Sequence, residues 1–177
     1  MSIFESVLAA AIRTLVAFQQ ATGFPRWVND HSAVWPIAET LHFIGLCLLI
    51  GAVGIFDLRL VGVGKSVPVR ALKRLLPWGV SGFILCIGTG LLFVAGNAFA
   101  PGEYLKNISF LFKMLCLVLA GLNLLAFHLT GMNQAVDAVG SGDDAPFGAK
   151  AMGAASLALW VGVIVFGRFL PTLGDAF

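Results

Sequence analysis

The sequence predicts an all-α integral membrane protein, a four-helix bundle with an N-terminal amphipathic helix that lies along the membrane interface. Composition is the first reason. Of the 177 residues, 59% are apolar and only 11% are charged, whereas a soluble domain has about 25% charged residues. The mean hydropathy is +0.94. These values exclude a cytosolic α/β enzyme and a disordered tail, and the net charge of +2 gives no reason to expect nucleic acid as a partner.

Four long apolar segments are the second reason. A helix needs about 20 residues to cross the roughly 30 Å of hydrocarbon in a bilayer. Backbone groups in lipid must be hydrogen-bonded within the chain, so these segments are helices and not strands. We predict spans at about 34–56, 75–98, 108–130 and 151–170, which together form a single membrane domain, 1–177, without an internal repeat.

The first twenty residues have a different pattern. Apolar side chains recur on one helical stripe, while Glu5 and Arg13 interrupt the apolar character. The stripe consists of Ile3, Val7, Ala11, Leu15 and Phe18. This pattern predicts an amphipathic helix over 2–20 that lies at the interface or against the bundle. A cleaved signal peptide is not expected, because the segment has no basic start.

Basic residues indicate the orientation. Five of them follow the first span, namely Arg59, Lys65, Arg70, Lys73 and Arg74. The positive-inside rule therefore places the connection between the first two spans in the cytoplasm and the N-terminal segment outside. The connection between the third and fourth spans is then also inside, although it is acidic, because aspartates contribute little to the rule.

Small residues recur every four positions on the second span, at Gly82, Cys86 and Gly90, and two glycines lie three positions apart on the first span, at Gly51 and Gly54. Such stripes favour close helix packing. They could also offer a flat surface to a planar ligand. The same faces favour self-association, so the expected partners are the lipid bilayer and either further copies of the chain or a larger membrane complex.

Ionisable residues within the spans are the candidate functional residues, because charge is costly in lipid. Glu39 and His42 are three residues apart and share a face of the first span. Lys113 lies near the outer end of the third span, and Arg168 near the outer end of the fourth. If the first and third spans are neighbours, these four side chains form an outer cluster.

A second group lies near the inner end of the bundle. Asp57 follows Glu39 by about five helical turns and so lies about 27 Å deeper on the same stripe. His128 comes fifteen residues after Lys113, near the inner end of the third span. We therefore expect an inner cluster of Asp57, Arg59 and His128.

Each of these residues also has a possible structural role. Glu39 and Lys113 can form an ion pair that only neutralises two charges, and Arg168 can extend to the outer headgroups. Arg59 suits an orientation residue at the membrane edge, and His128 an ordinary hydrogen-bonded histidine. In a structural subunit of a larger membrane complex, the polar pairs would only set helix register.

Haem is one cofactor that this set of residues could hold. Haem needs an axial nitrogen or sulfur ligand, an apolar slot and cations for its two propionates. His42 is the first-choice axial ligand, and Lys113 with Arg168 would hold the propionates near the outer surface. His128 is too deep to share an iron with His42 and would serve a separate haem. Glu39 completes the predicted cofactor-binding set, and the two histidines are the metal-ligand candidates.

Copper is the alternative cofactor, in a protein that transports or handles metal. Glu39, His42, His31 and Met114 offer mixed ligands, although their spacing is not diagnostic. A proton relay is a third use of intramembrane Glu, His and Asp side chains. The sequence has no nucleotide-binding loop or hydrolase motif, and it has one Glu-x-x-His where di-iron helical sites use two.

Two stretches of the chain resemble known proteins. One is the segment LHFIG at 41–45, followed by DLRL at 57–60, and the other begins FKML at 112–115 and ends AFH at 126–128. They resemble the first and third spans of small four-span bacterial inner-membrane proteins. These include the HemJ-type protoporphyrinogen oxidases and, more loosely, the CopD-like copper-resistance domains. The likeness is greatest to uncharacterised proteins with the same H-x-I-G and D-L-R-L signatures.

The resemblance implies a location in a bacterial inner membrane and a part for His42 and Lys113 in haem b binding and activity. It implies electron transfer or a membrane redox reaction with a porphyrin or a quinone as partner, and so makes a membrane oxidoreductase the candidate enzyme. The chain has Asp-Leu-Arg where HemJ-type proteins favour Pro-Arg, and it carries an additional N-terminal segment. These departures bear on porphyrinogen oxidation more than on haem binding.

Overall fold

Helices make up most of the computed structural model, which describes residues 3–97 and 102–170 apart from the side chain of Phe4. No strand occurs in these residues, which confirms the all-α prediction. The α-helices are, in chain order, α1 (Ile3–Thr22), α2 (Phe24–Asp30), α3 (Val34–Val61), α4 (Val69–Lys73), α5 (Leu76–Gly96), α6 (Glu103–Lys106), α7 (Ile108–Leu129), α8 (Met132–Ala135) and α9 (Phe147–Phe169).

Four of these helices form the membrane bundle. By length and apolar composition, α3, α7, α9 and the combined segment of α4 and α5 can each cross a membrane. α3 packs against α5 on one side and against α9 on the other, and α7 packs against α9. The spatial order is therefore α5, α3, α9, α7. Within the described residues, α5 and α7 do not pack along each other, so a gap separates the two ends of this row.

The first spanning helix is longer than predicted. We expected a span over 34–56, but α3 continues through Asp57 and Arg59 to Val61. The charged residues do not end the helix because both are buried in protein, 5% and 1% exposed respectively, rather than facing lipid or water. Gly62 ends the helix instead, with a φ of 116° that favours glycine.

The other predicted spans agree with the structure to within a few residues. α7 covers the predicted 108–130 but for its last residue. α5 covers 76–96 of the predicted 75–98, whose final position lies outside the described residues. α9 begins at Phe147, four residues before the predicted 151. Pro146 precedes it, and proline suits a helix start because its φ is already helical and it has no N–H to satisfy.

The N-terminal helix occurs as predicted, but a second helix follows it. α1 covers the predicted 2–20 except for residue 2, which lies outside the described part. Gly23, with a φ of 63°, separates α1 from α2, and their axes are bent by 61°. Together the two helices are apolar enough to count as a bent fifth span. Gln19 anchors the segment to the bundle, because its Nε2 donates to the carbonyl of Ala95 at 3.0 Å.

The two ends of the bundle are built differently. We call the end with the α3–α4 and α7–α9 connections the loop end, and the end where α3 and α7 begin the cavity end. The hydrophobic core lies at the loop end and includes Val69 of α4 and residues of the α7–α9 connection. Its buried members are Phe56, Leu60, Val69, Phe127, Val136, Val139, Ala145 and Ala149. The connections at this end are thus packed parts of the fold.

Small residues bring α3 and α5 into close contact. A Cβ added to Gly82 would lie 2.5 Å from the carbonyl oxygen of Gly45 and 2.8 Å from the Leu48 Cβ. Cys86 packs against Gly45 as well. This part of the predicted stripe therefore serves packing inside one chain, whereas Gly90 lines the cavity described next.

Candidate functional site

A cavity of about 620 Å³ lies in the gap between α5 and α7. Side chains of α3 and α9 form its back wall. Phe83 of α5 and Trp160 of α9 line the part nearest the loop end, where their rings meet edge to face with centroids 6.3 Å apart. Cofactor and small-molecule sites have volumes of roughly 300–1,000 Å³. The cavity therefore has the size of a cofactor site.

All four residues of the predicted outer cluster line this cavity. Glu39 and His42 come from α3, Lys113 from α7 and Arg168 from α9. The bundle brings three helices together here, so residues that are distant in the sequence share one space. Met114 also lines the cavity, whereas His31 is not part of its wall.

The predicted ion pair between Glu39 and Lys113 does not form. The Glu39 Oε1 atom accepts a hydrogen bond from Trp35 Nε1 at 3.0 Å. Among the described residues, neither Lys113 nor Arg168 has an ion-pair or hydrogen-bond partner. The two cations are therefore not neutralised by the carboxylate of the same cavity and are available to an anionic ligand.

The His42 ring is oriented by Thr89 of α5. Its Nδ1 lies 2.7 Å from the Thr89 hydroxyl oxygen. That hydroxyl has a backbone acceptor of its own, the Leu85 carbonyl at 2.8 Å. A hydroxyl has one proton to donate, so when it donates to Leu85 it must accept from His42. The imidazole proton is then on Nδ1, and Nε2 carries the free lone pair that binds metal.

Aromatic and aliphatic side chains form the rest of the wall. The Phe93 ring lies 5.4 Å from the His42 ring and 5.3 Å from the Trp35 ring, centroid to centroid. The aliphatic part of the lining includes Leu46, Leu49, Ile87, Leu91, Leu117 and Val163. The cavity thus combines an apolar slot with a few polar groups near its outer part.

Tyr104 of α6 is a neutral donor at the cavity end. Burial raises the pKa of its phenol above the ordinary value, and the nearby carboxylate of Glu39 raises it further. Both effects disfavour the phenolate, because it would be a second anion in a poorly solvated site. The Tyr104 hydroxyl is therefore protonated at neutral pH and can donate a hydrogen bond to a ligand in the cavity.

The predicted inner cluster does not assemble. His128 is exposed, and its Nδ1 pairs with the Leu124 carbonyl of its own helix at 2.9 Å. Asp57 is buried, and its Oδ2 has no hydrogen-bond partner in the described part of the chain. Arg59 instead donates to the carbonyls of Val67, Gly140 and Asp143, at 2.6, 2.9 and 3.1 Å. Asp57 and Arg59 are two positions apart on α3, so their side chains are rotated by about 200° around the helix axis and point to different sides.

A multi-ligand metal centre has no counterpart in the described residues. No group of three or more His, Cys, Asp or Glu side chains is arranged there to hold a metal ion. Haem needs only one or two axial ligands from the protein, so this finding bears on copper and leaves the haem expectation untouched.

Sequence reasoning missed Thr89, Trp35, Phe93 and Tyr104. Thr89 is polar in an apolar span, which is a weak signal, but its pairing with a histidine 47 residues away depends on how α3 and α5 cross. The aromatic residues are indistinguishable by sequence from lipid-facing ones.

Comparison with known proteins identifies no match for this chain. No protein family matches the chain, and neither a curated protein nor a solved structure is similar enough to count as a match.

Proposed function

We propose that this chain is a haem-b-binding membrane protein that works in electron transfer or in a membrane redox reaction. One observation carries the proposal: a histidine with its Nδ1 held by Thr89 lies in an apolar, cofactor-sized cavity. Metal-ligating histidines are oriented in this way through their second nitrogen.

The residues of the cavity fit the parts of haem b. His42 would be the axial ligand through Nε2, and Lys113 and Arg168 would bind the two propionates through charge-assisted hydrogen bonds. Trp35 and Phe93 would bound the macrocycle and exclude water from it. When bound, haem b supplies a one-electron iron couple.

A lipophilic redox partner suits the position of the cavity. α5 and α7 do not pack along each other, so the cavity between them is open on that side. Apolar side chains such as Ile87 and Leu91, 46% and 64% exposed, lie at its rim. A quinone or a porphyrin, the partners that the HemJ-type resemblance implies, would reach the site from this side. The chain is an oxidoreductase only if it chemically converts such a partner.

The multi-pass character follows from four apolar helices, and we propose the bacterial inner membrane with the N-terminus outside. The basic residues that follow α3 support this orientation. Cysteines introduced by Ser32→Cys at the cavity end and Ser141→Cys at the loop end should differ in their labelling by thiol reagents applied to intact cells. A membrane-impermeant thiol reagent should label the first and not the second, and the reverse labelling would invert the topology.

A visible absorption spectrum of the purified protein, reduced minus oxidised, tests the haem proposal. We expect a Soret band in protein expressed with ample haem, and we expect His42→Ala to abolish it. Added imidazole should restore part of the band in His42→Ala by occupying the vacated position. His128→Ala is the matched control and should keep the full band, because His128 lies outside the cavity.

The same preparations separate the competing functions. Copper that survives chelator washing in the wild type and is lost in His42→Ala, without a Soret band, would indicate metal handling. Neither haem nor copper in folded protein would indicate a structural subunit of a larger complex. Size-exclusion chromatography reports on folding in each case and shows whether the chain forms the homo-oligomer that the glycine-rich faces predict.

A further inference from the structure

A second concavity lies at the loop end, well separated from the cavity of the proposed haem site. It has a volume of about 350 Å³ and lies between α4 and residues 137–140. Arg70 and Arg74 line it together. They are four residues apart on one helical turn, so their side chains project from the same face. Both are exposed.

The other cations at the loop end have partners. Lys65 and Lys150 both pair with Asp144, at 2.8 and 2.7 Å, and Lys73 pairs with Asp137 at 2.7 Å. Arg59 is buried against backbone carbonyls.

Arg70 and Arg74 are different. Within residues 3–97 and 102–170, neither has an ion-pair or hydrogen-bond partner. The loop end therefore presents two unpaired guanidinium groups side by side. Guanidinium groups match the oxygen geometry of phosphate and bind it through paired hydrogen bonds.

The wall opposite the arginines is held in place by the fold. The Val69 N–H donates to the Val139 carbonyl at 3.2 Å, which joins α4 to this wall. Arg59 donates to the Gly140 carbonyl at 2.9 Å, and Lys73 holds Asp137. Val69 and Val139 also belong to the hydrophobic core. The concavity is thus preformed and does not need a ligand to order it.

The surface beside the arginines changes from basic to apolar where α5 begins. Trp78 follows Arg74 by four residues and is 62% exposed, and Leu75 between them is 37% exposed. Tryptophan in such a place marks the boundary between headgroups and hydrocarbon. Arg70 and Arg74 therefore lie at the depth of lipid phosphates.

We propose that Arg70 and Arg74 bind the phosphate of an anionic phospholipid headgroup, whose acyl chains lie against Leu75 and Trp78 where α5 begins. The proposal does not depend on haem. A free phosphate ion would satisfy the same guanidinium pair, but it would leave the exposed side chains of Leu75 and Trp78 without a role.

Quenching by brominated lipids tests the site. The full chain is reconstituted in phosphatidylcholine that contains a minor fraction of dibrominated phosphatidylglycerol or, for comparison, dibrominated phosphatidylcholine. The Trp78 signal is the difference between the wild type and Trp78→Phe. We expect stronger quenching of this signal by the phosphatidylglycerol. Arg70→Gln with Arg74→Gln should lower the apparent affinity about 30-fold, since each surface cation contributes about fivefold.

Lys65→Gln with Lys150→Gln is the matched control, because it removes the same charge from the same end. This variant should keep the preference for phosphatidylglycerol. An equal loss in both double variants would show attraction by general surface charge and would overturn the proposal. So would equal quenching by both lipids in the wild type, or displacement of the lipid by millimolar inorganic phosphate, which would indicate a site for the free ion.

Discussion

Thr89 determines which nitrogen of His42 is available for a ligand. Nδ1 is 2.7 Å from the Thr89 hydroxyl, and that hydroxyl is 2.8 Å from the Leu85 carbonyl. When the hydroxyl donates its one proton to the Leu85 carbonyl, the imidazole donates to the hydroxyl through Nδ1, and Nε2 is left with the free lone pair. This chain of bonds also limits rotation of the ring. An axial ligand requires both a free lone pair and a fixed ring plane.

Removing the Thr89 hydroxyl should weaken haem binding without removing the ligand. Thr89→Val keeps the shape of the side chain but deletes the acceptor of the Nδ1 proton. We expect haem affinity to fall about 10- to 100-fold, the usual effect of losing such an orienting bond. Thr89→Ser keeps a hydroxyl and should bind haem nearly as tightly as the wild type. Absorbance titration of the apoprotein with haem measures all three, and equal affinity of Thr89→Val would refute an orienting role.

Lys113 and Arg168 should bind the propionates and no other part of the cofactor. Lys113→Gln or Arg168→Gln should each weaken haem binding by roughly tenfold or more, the value of a hydrogen bond to a charged group. Haem dimethyl ester, which lacks the propionate charges, is the control ligand. It should bind the wild type and the glutamine variants alike. If the variants weaken ester and haem equally, the two cations do not bind propionates.

α3 contributes to both ends of the molecule. Near its start it places Glu39 and His42 in the cavity. Near its end it places Arg59 among the backbone carbonyls of both loop-end connections. The guanidinium donates to carbonyls of irregular backbone, and so it supplies hydrogen bonds that a helix would supply to its own carbonyls. An arginine that sequence reasoning assigns to membrane orientation thus holds the connections together.

The crossing of α3 and α5 requires glycine at position 82. A Cβ there would lie 2.5 Å from the Gly45 carbonyl oxygen, so Gly82→Ala must push the two helices apart. We expect a loss of about 1–3 kcal/mol in stability, as for other overpacked contacts. The measurement is thermal unfolding in detergent. Because the crossing also holds Thr89 against His42, the variant should bind haem more weakly too.

Gly88→Ala on the same helix is the control. A Cβ at position 88 would meet nothing within 4 Å. Alanine has a higher helix propensity than glycine, so this variant should unfold at the wild-type temperature or slightly above it. Similar losses in both variants would show that glycine is needed for helix flexibility and not for close packing.

At the scale of the whole molecule, the bundle separates a largely apolar cavity with a few polar groups at one end from a packed, ion-paired set of connections at the other. Asp144 joins the α3–α4 connection to α9, because it pairs with both Lys65 and Lys150. Hydrogen bonds from Lys150 and then from Lys65 lower the pKa of this carboxyl from 3.8 to about 2. The ionised form is therefore favoured in the folded protein.

The lowered pKa predicts an acid-dependent loss of stability. A carboxyl whose pKa is lower in the folded than in the unfolded chain contributes stability above the unfolded value, and the contribution is lost as pH falls toward the folded value. Between about pH 4 and about pH 2, the thermal stability of the wild type in detergent should therefore fall more than that of Asp144→Asn. Parallel curves for the two proteins would contradict the assignment.

The spanning helices and the cavity residues could be predicted because both depend on local properties. Apolarity over about 20 residues identifies a span, and position along a helix converts directly to depth at about 1.5 Å per residue. Glu39, His42, Lys113 and Arg168 were thus expected at one depth, and they line one cavity. The loop end of α3 was predicted to stop too early, because a charge buried in protein and a charge at the membrane edge look alike in a sequence.

The sequence by itself determined the solvent of this protein, the number of long apolar helices and the depth of each charged residue, because these follow from composition and helical rise. Only the tertiary structure decided which residues meet. The gap between α5 and α7, the bond from His42 to Thr89 and the separation of His128 from Asp57 and Arg59 depend on helix order and rotation. Rotation about a helix axis changes contacts completely while leaving depth unchanged, and that is why depth was predictable and contact was not.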